Sequence, residues 1–142
     1  MKISLVSCCI LQKKNKILVS KRKPQKIYSD CWEFPGGKLE KNESFQQAII
    51  RELQEELGIR VEIKNLTVID NISHSYHRNQ IIILAVFFLK KWKGFITAKE
   101  SQEIQWVSKS ELKKLNFLEG SKIIIERLNS NYYNFIYNED KF

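Results

Sequence analysis

Apolar and β-branched residues open the chain in two short runs, "ISLVSCCIL" and "KILVSKR", separated by the polar turn Lys13 to Lys16. Runs of that length and composition predict a pair of strands. A basic loop from Arg22 to Asp30, containing Pro24, follows them. "WEFPGG" then predicts an extended piece stopped by Pro35 and the double glycine. Phe45, Ala48, Ile49, Leu53 and Leu57 recur at helical spacing and predict an amphipathic helix from Ser44 to Leu57. Its ends are marked as well. Ser44 with Gln47 makes a capping-box pattern, and Gly58 stands where a left-handed C-terminal cap belongs.

Beyond the helix, "RVEIKNLTVID" alternates as a strand should, and "QIIILAVFFL" is apolar enough for the central strand of a sheet. A short strand is expected over Glu103 to Val107. Ser108 with Glu111 repeats the capping box before a short helix, and a last helix is expected near Ser121 to Leu128. Strands with two or three interleaved helices make a mixed α/β sandwich. Residues 1–128 read as one domain, with 129–142 as an aromatic tail packed on it. The tail, "NSNYYNFIYNEDKF", carries Tyr132, Tyr133, Phe135 and Tyr137. It reads as an edge strand or extension on its own domain, with a dimer contact or a base-stacking surface as the functional alternative.

Composition narrows this little. The 142 residues suffice for one domain with a real core, and no apolar run approaches the length of a membrane span. The N-terminal apolar stretch lacks a small-residue cleavage site and is followed at once by a second run, so it reads as a strand and not as a signal peptide. Cys8, Cys9 and Cys31, an odd number without CxxC spacing, read as buried reduced thiols in a cytoplasmic protein. The net charge of +8 suits an anionic partner, a nucleotide or a nucleic acid.

Against that basic background the helix is acidic. Residues three and four apart share a helical face, so Glu52, Glu55 and Glu56 project together, with only Arg51 placed to pair, onto Glu55. A face selected for stability alone would alternate glutamate with lysine. Like charges at this spacing cost about 0.2–0.5 kcal/mol per pair, a cost that a bound cation removes. Clustered carboxylates are hard ligands suited to Mg²⁺ or Mn²⁺, and Mg²⁺ is commonly shared with substrate phosphates. Gly36 and Gly37 would let the backbone approach a metal or phosphate closely, and alone they would be only a tight turn.

The spacing from Gly37 through Glu43, Arg51-Glu52-Leu53 and Glu55-Glu56 to Gly58-Ile59 resembles the Nudix box in every defined position. "WEFPGGKLE" and "RELQEELGI" are most similar to its MutT branch, the 8-oxo-dGTP diphosphatases, and the resemblance runs more loosely from about Ile3 to Leu128. It implies an α/β/α sandwich with a mixed β-sheet. It also implies Mg²⁺-dependent hydrolysis of a nucleoside triphosphate to the monophosphate and pyrophosphate, by water attack at the β-phosphorus. Carried over by position, the metal ligands are the Gly36 carbonyl, Glu52, Glu55, Glu56 and Glu100. Arg51 holds the box glutamates, and Glu43 supports the loop. The general base is Glu52, with Glu100 second. Arg22, Glu33, Phe34, Pro35, Gly36 and Ser121 meet the nucleotide. The implied partner is a small nucleoside triphosphate, with no membrane and no obligatory nucleic acid, and a monomer is the working expectation.

Two positions depart from the branch. Ser121 stands where an asparagine near the last helix reads the oxidised guanine, with Asn116 as a nearby substitute, and Ile27 replaces a nucleotide-contacting histidine of the basic loop. Other substrates therefore stay open: CTP-like nucleotides, dinucleoside polyphosphates, ADP-ribose or a capped RNA end. A non-cleaving binding module would be signalled by a broken box, and every box glutamate is present. His74 and His77, in "NISHSYHRNQ", read as a structural or solvent-exposed loop pair. Tyr76 and Arg78 are guesses for the base pocket, and Trp32, Trp92 and Trp106 are core or cleft-wall residues.

Overall fold

A computed structural model describes residues 1–23, 30–77 and 79–134. Ile27, Arg78, Phe135 and Tyr137 lie outside the described residues, as do the side chains of Tyr76 and His77. In chain order the elements are β1 (Lys2–Lys13), β2 (Lys16–Lys21), β3 (Trp32–Glu33), β4 (Gly36–Lys38), α1 (Phe45–Leu57), β5 (Thr67–His77), β6 (Gln80–Leu89), β7 (Glu103–Ser108), α2 (Lys109–Leu112) and α3 (Lys122–Asn129). They fall into two compact units, one of residues 1–10 and 35–100, the other of residues 11–34 and 101 onward.

In the first unit β4 pairs antiparallel with β1, in the register Ser7 to Gly37 and Cys8 to Gly36, and β6 lies between β1 and β5. The apolar run at 80–89 is therefore a central strand, with Ala85 to Leu89 buried. The double glycine, expected to stop a strand, forms one. Pro35 forbids a donor at its own position, but its carbonyl accepts the Cys9 N–H at 2.9 Å, so the chain kinks there and resumes as β4. A second correction concerns β5. Strand pairing begins at Thr67, and "RVEIKN" contributes only a bridge from Arg60 to Lys93 and a 3₁₀ turn at Ile63–Asn65, with Ile63 63% exposed. The polar segment 71–77, read as a loop, is the far half of β5, with His74 opposite Ile82.

Helix α1 packs on β4 and buries Ala48, Ile49, Leu53 and Leu57, with Phe45 half-buried at its start. Both arms of its capping box form: Ser44 Oγ accepts the Gln47 N–H at 3.0 Å, and Gln47 Oε1 accepts the Ser44 N–H at 2.9 Å. The far end is closed by Gly58, at φ 73°, whose N–H donates to the Gln54 carbonyl at 3.0 Å. The last two carbonyls, of Glu56 and Leu57, accept N–H groups from Lys99 and Thr97 at 3.0 Å each. A passing loop thus completes what the helix leaves unpaired.

In the second unit β2 is central, paired antiparallel with β1, β3 and β7. A parallel bridge joins Trp32 to Phe117, so the sheet is mixed. Trp32 donates to the Asn116 carbonyl at 2.7 Å and accepts from the Leu118 N–H at 3.0 Å, which seats Phe117 against Phe34 with ring centroids 5.4 Å apart. The second capping box forms at Ser108 and Glu111, opening α2. Cys8, Cys9 and Cys31 are buried free thiols. Tyr133 is buried, Tyr132 is exposed, and residues 130–134 are turns and bends, not the edge strand considered from sequence.

Replacing Gly58 by alanine should cost about 1 kcal/mol, the strain of an L-residue held in the left-handed region. The neighbours of the new methyl, the Lys99 side-chain carbons at 3.3 Å, belong to a flexible chain and can yield. A urea titration showing a lower midpoint with an unchanged slope is the expected result.

Candidate active site

The acidic face of α1 is organised around one guanidinium. Arg51 Nε and Nη2 donate to the two oxygens of Glu43 at 2.8 and 2.9 Å, a bidentate pair. Nη1 donates to Glu52 Oε1 at 2.8 Å and to Glu55 Oε2 at 3.2 Å, and Nη2 also donates to the Lys38 carbonyl at 3.0 Å. Arginine has five N–H donors, and all five are used. Glu40 adds a looser ion pair at 3.5 Å.

Helical spacing had exposed only the Arg51–Glu55 pair of this network. Glu40 and Glu43 belong to the loop before the helix and the Lys38 carbonyl to the end of β4, and no i to i+4 rule reaches them. The loop places them by its own bonds: Glu40 N–H donates to Glu43 Oε1 at 2.9 Å, and the Glu43 N–H to the Glu40 carbonyl at 3.1 Å. Arg51 hydrogen bonds, seconded by the Glu40 N–H, pull the Glu43 carboxyl down to about 2.

Glu52 is shifted the other way. Burial raises its proton affinity above the ordinary carboxylate value, Arg51 opposes that, and the charge of Glu55 adds to it. The Glu56 carboxyl lies within hydrogen-bonding reach of Glu52, and its Oε2 accepts the Gly36 N–H at 3.2 Å. Glu55 points outward, with half its side chain exposed. Glu100 is exposed, and the backbone one residue before it is tied to the last turn of α1 through the Lys99 bond to the Glu56 carbonyl. Glu52 and Glu56 are therefore brought together with Gly36, and Glu55 joins them through Arg51. Among the described residues, no three acidic, histidine or cysteine side chains converge on one point as a metal cage would, and Arg51 binds one oxygen each of Glu52 and Glu55.

The remaining candidates belong to the second unit, except Pro35 and Gly36. Arg22 Nη1 pairs with Glu33 Oε2 at 2.8 Å, and the two are about one quarter exposed. Phe34 is buried against Phe117. Ser121 is half-buried at the entry to α3 and makes no capping bond from its side chain. Asn116 is exposed, with its amide nitrogen 3.6 Å from the Cys31 sulfur.

A NUDIX domain model matches residues 1–128. The chain belongs to the Nudix hydrolase family. Over 128 residues it is 36% identical to an 8-oxo-dGTP diphosphatase of Buchnera aphidicola subsp. Schizaphis graminum, a match that covers 90% of this chain and 95% of that one. It is also 36% identical, over 112 residues, to a CTP pyrophosphohydrolase of Escherichia coli, covering 78% and 80% of the two chains. A solved MutT structure, from work on Aliivibrio salmonicida and Vibrio cholerae, superposes with a TM-score of 0.78 at 26% identity, over 92% of this chain and 99% of that one. The fold is the mixed α/β fold of MutT Nudix proteins, and the chain is a Nudix pyrophosphohydrolase of that branch.

Nudix enzymes act on small nucleotides and generally use divalent metals, and the donor set here suits such an ion. The donors are hard carboxylate oxygens. They also sit over a cradle that a side chain would fill, since a Cβ at position 37 would stand 2.5 Å from the Glu52 carboxyl carbon and from Oε1.

The low value at Glu43 has a signed consequence. A carboxyl depressed in the folded chain contributes its full stability above the ordinary value of 4.5, and that contribution is lost as pH falls toward about 2. Glu43→Gln should therefore be less stable than the parent at pH 7, with the gap narrowing as pH is lowered from 4.5. Urea midpoints of both proteins across pH 7 to 2.5 measure it.

Proposed function

We propose that this Nudix hydrolase cleaves 8-oxo-dGTP to the monophosphate and pyrophosphate with Mg²⁺, and so clears oxidised guanine from the nucleotide pool. The acidic face of α1, held by Arg51 over the Gly36–Gly37 strand, carries the chemistry of this reading. The 36% identity with a named 8-oxo-dGTP diphosphatase across nearly the whole of both chains supports the substrate. On this reading Glu52, Glu55, Glu56, Glu100 and the Gly36 carbonyl hold the ion, which supplies neutralisation of the phosphate oxygens.

The chain's own residues do the rest. Glu52 takes the proton of the attacking water at a carboxylate oxygen, and the proton affinity raised by burial suits it to a base working toward neutral pH. Glu100 is the second choice for that role. Arg51 keeps Glu52 and Glu55 in place while the water attacks the β-phosphorus and the nucleoside monophosphate leaves, the β- and γ-phosphates departing as pyrophosphate with the water oxygen. Positioning and electrostatics supply most of such catalysis. Arg22, already oriented by Glu33, meets the nucleotide together with Phe34, Pro35 and Gly36, and Ser121 faces the base.

Ser121 favours one second reading, a CTP-like substrate. A serine hydroxyl cannot offer the paired donor and acceptor of an asparagine amide, and the Escherichia coli CTP pyrophosphohydrolase is as similar in identity as the oxidised-guanine enzyme.

Glu55→Gln and Glu56→Gln should each nearly abolish turnover at saturating Mg²⁺ while leaving the melting temperature of the metal-free protein unchanged or slightly higher. The amide keeps the shape and removes only the charge. Near-parental activity in either variant would sink the metal assignment.

A nucleotide panel with and without Mg²⁺, with products identified by mass, tests the substrate. The parent should favour 8-oxo-dGTP over dGTP, and Ser121→Asn should sharpen that preference about three- to tenfold, as expected of one neutral hydrogen bond worth about 0.5–1.5 kcal/mol. The gain should appear mainly in KM, because the base lies away from the reacting phosphorus. Faster hydrolysis of CTP than of either guanine nucleotide would establish the second reading in its place.

A further inference from the structure

The second unit carries a basic surface that the proposed chemistry leaves unused. The β1–β2 turn presents Lys13, Lys14 and Lys16, all exposed. The register of β2 on β7 sets Lys16 opposite Ser108, where α2 begins, and α2 and its C-terminal turn add Lys109, Lys113 and Lys114. The acid within this surface, Glu111, is committed to the capping box: its Oε1 accepts the Ser108 N–H at 3.0 Å. The chain exceeds neutrality by eight positive charges, and six of its lysines meet here.

Between the turn and α2 lies a shallow hollow of about 500 Å³. Two lysines, three asparagines and two serines line it, with no acidic and no apolar side chain among them. Lysine ammonium groups with hydroxyl and amide donors are the groups that hold phosphate oxygens on nucleic-acid backbones. The surface is also built to a fixed shape. Gln12, 1% exposed, donates its amide to the Lys14 carbonyl at 3.0 Å and so holds the lysine-bearing turn from beneath. Across the hollow Lys109 Nζ donates to Asn131 Oδ1 at 2.9 Å.

The residue after Asn131 supplies what lysines lack. Tyr132 is 60% exposed, set edge-on to buried Tyr133 at 5.3 Å, with the Arg127 guanidinium 4.7 Å from its ring centroid. An exposed ring beside a cationic track is the arrangement on which single-stranded bases stack. A membrane surface fits less well, because interfacial binding needs a face of apolar side chains and those lining the hollow are lysine, asparagine and serine.

We propose that this surface is a second binding site, for single-stranded nucleic acid, with backbone phosphates on the lysines of the turn and of α2 and a base on Tyr132. It is independent of which nucleotide the enzyme cleaves.

The test is fluorescence anisotropy with a labelled oligodeoxythymidylate of about 12 nucleotides, within the roughly 4–16 that such sites cover, over a salt series. The parent should bind, with log affinity falling linearly against log salt. Lys109→Gln with Lys113→Gln should flatten that slope by about 0.7 for each lysine removed. Tyr132→Ala should weaken binding about five- to 150-fold and Tyr132→Phe should restore it. All these variants should hydrolyse dGTP as the parent does, which shows that they are folded. The proposal is overturned by absent binding at low salt, by a slope the double variant leaves unchanged, or by an equal flattening in a Lys90→Gln, Lys91→Gln control. Tighter binding to phosphatidylserine vesicles than to the oligonucleotide would overturn it in favour of a membrane.

Discussion

The Arg51 guanidinium is the constraint on which the acidic helix rests. Glu52, Glu55 and Glu56 crowd one face of the helix, and Arg51 offsets the crowding by holding two of them, Glu52 and Glu55, together with Glu43 of the preceding loop. A lysine could not do this. Its ammonium is a compact charge with three donors and no planar fork, whereas the bond pattern here needs a bidentate grip on Glu43 and three further donors in fixed directions. The loop of residues 38–43 is fastened by the same group, so the segment that closes the strand and the helix that carries the glutamates are one piece.

That fastening splits the proton affinities of similar side chains. Glu43 has both oxygens on the arginine and is held firmly ionised, while Glu52 gives one oxygen to Arg51, is partly withdrawn from water, and is pushed toward its neutral form. The two carboxyls differ in environment and not in chemistry, a common way for a fold to assign separate tasks to the same residue type. Glu43 is the anchor, and Glu52 is the carboxyl proposed above as the base.

Local rules carried the sequence a long way. The helix ends, both capping boxes and the central apolar strand were legible because each is decided within a few residues: a serine and its partner three positions on, a glycine at a left-handed cap, nine apolar residues in a row. What could not be read is decided by a partner elsewhere in the chain. "RVEIKN" alternates like a strand but has only one bridge to pair with, and "NISHSYH" looks like a loop but has β6 beside it. Gly36 and Gly37 read as a stop, yet β1 offers them a ladder. The box motif named the candidate residues, Arg51 and Glu43 among them, but the bond from Arg51 to the Lys38 carbonyl is tertiary and was not legible in the sequence.

The saturation of Arg51 also bears on how this protein is weighed. Its stability includes a cluster whose bonds are made by a guanidinium ion, and guanidinium chloride supplies the same ion at molar concentration. That salt screens the cluster and presents rivals for each of its carboxylates, whereas urea is uncharged and leaves those attractions in place. The two denaturants therefore weigh this cluster differently, and the stabilities they report differ by a share that belongs to this one arginine and its glutamates.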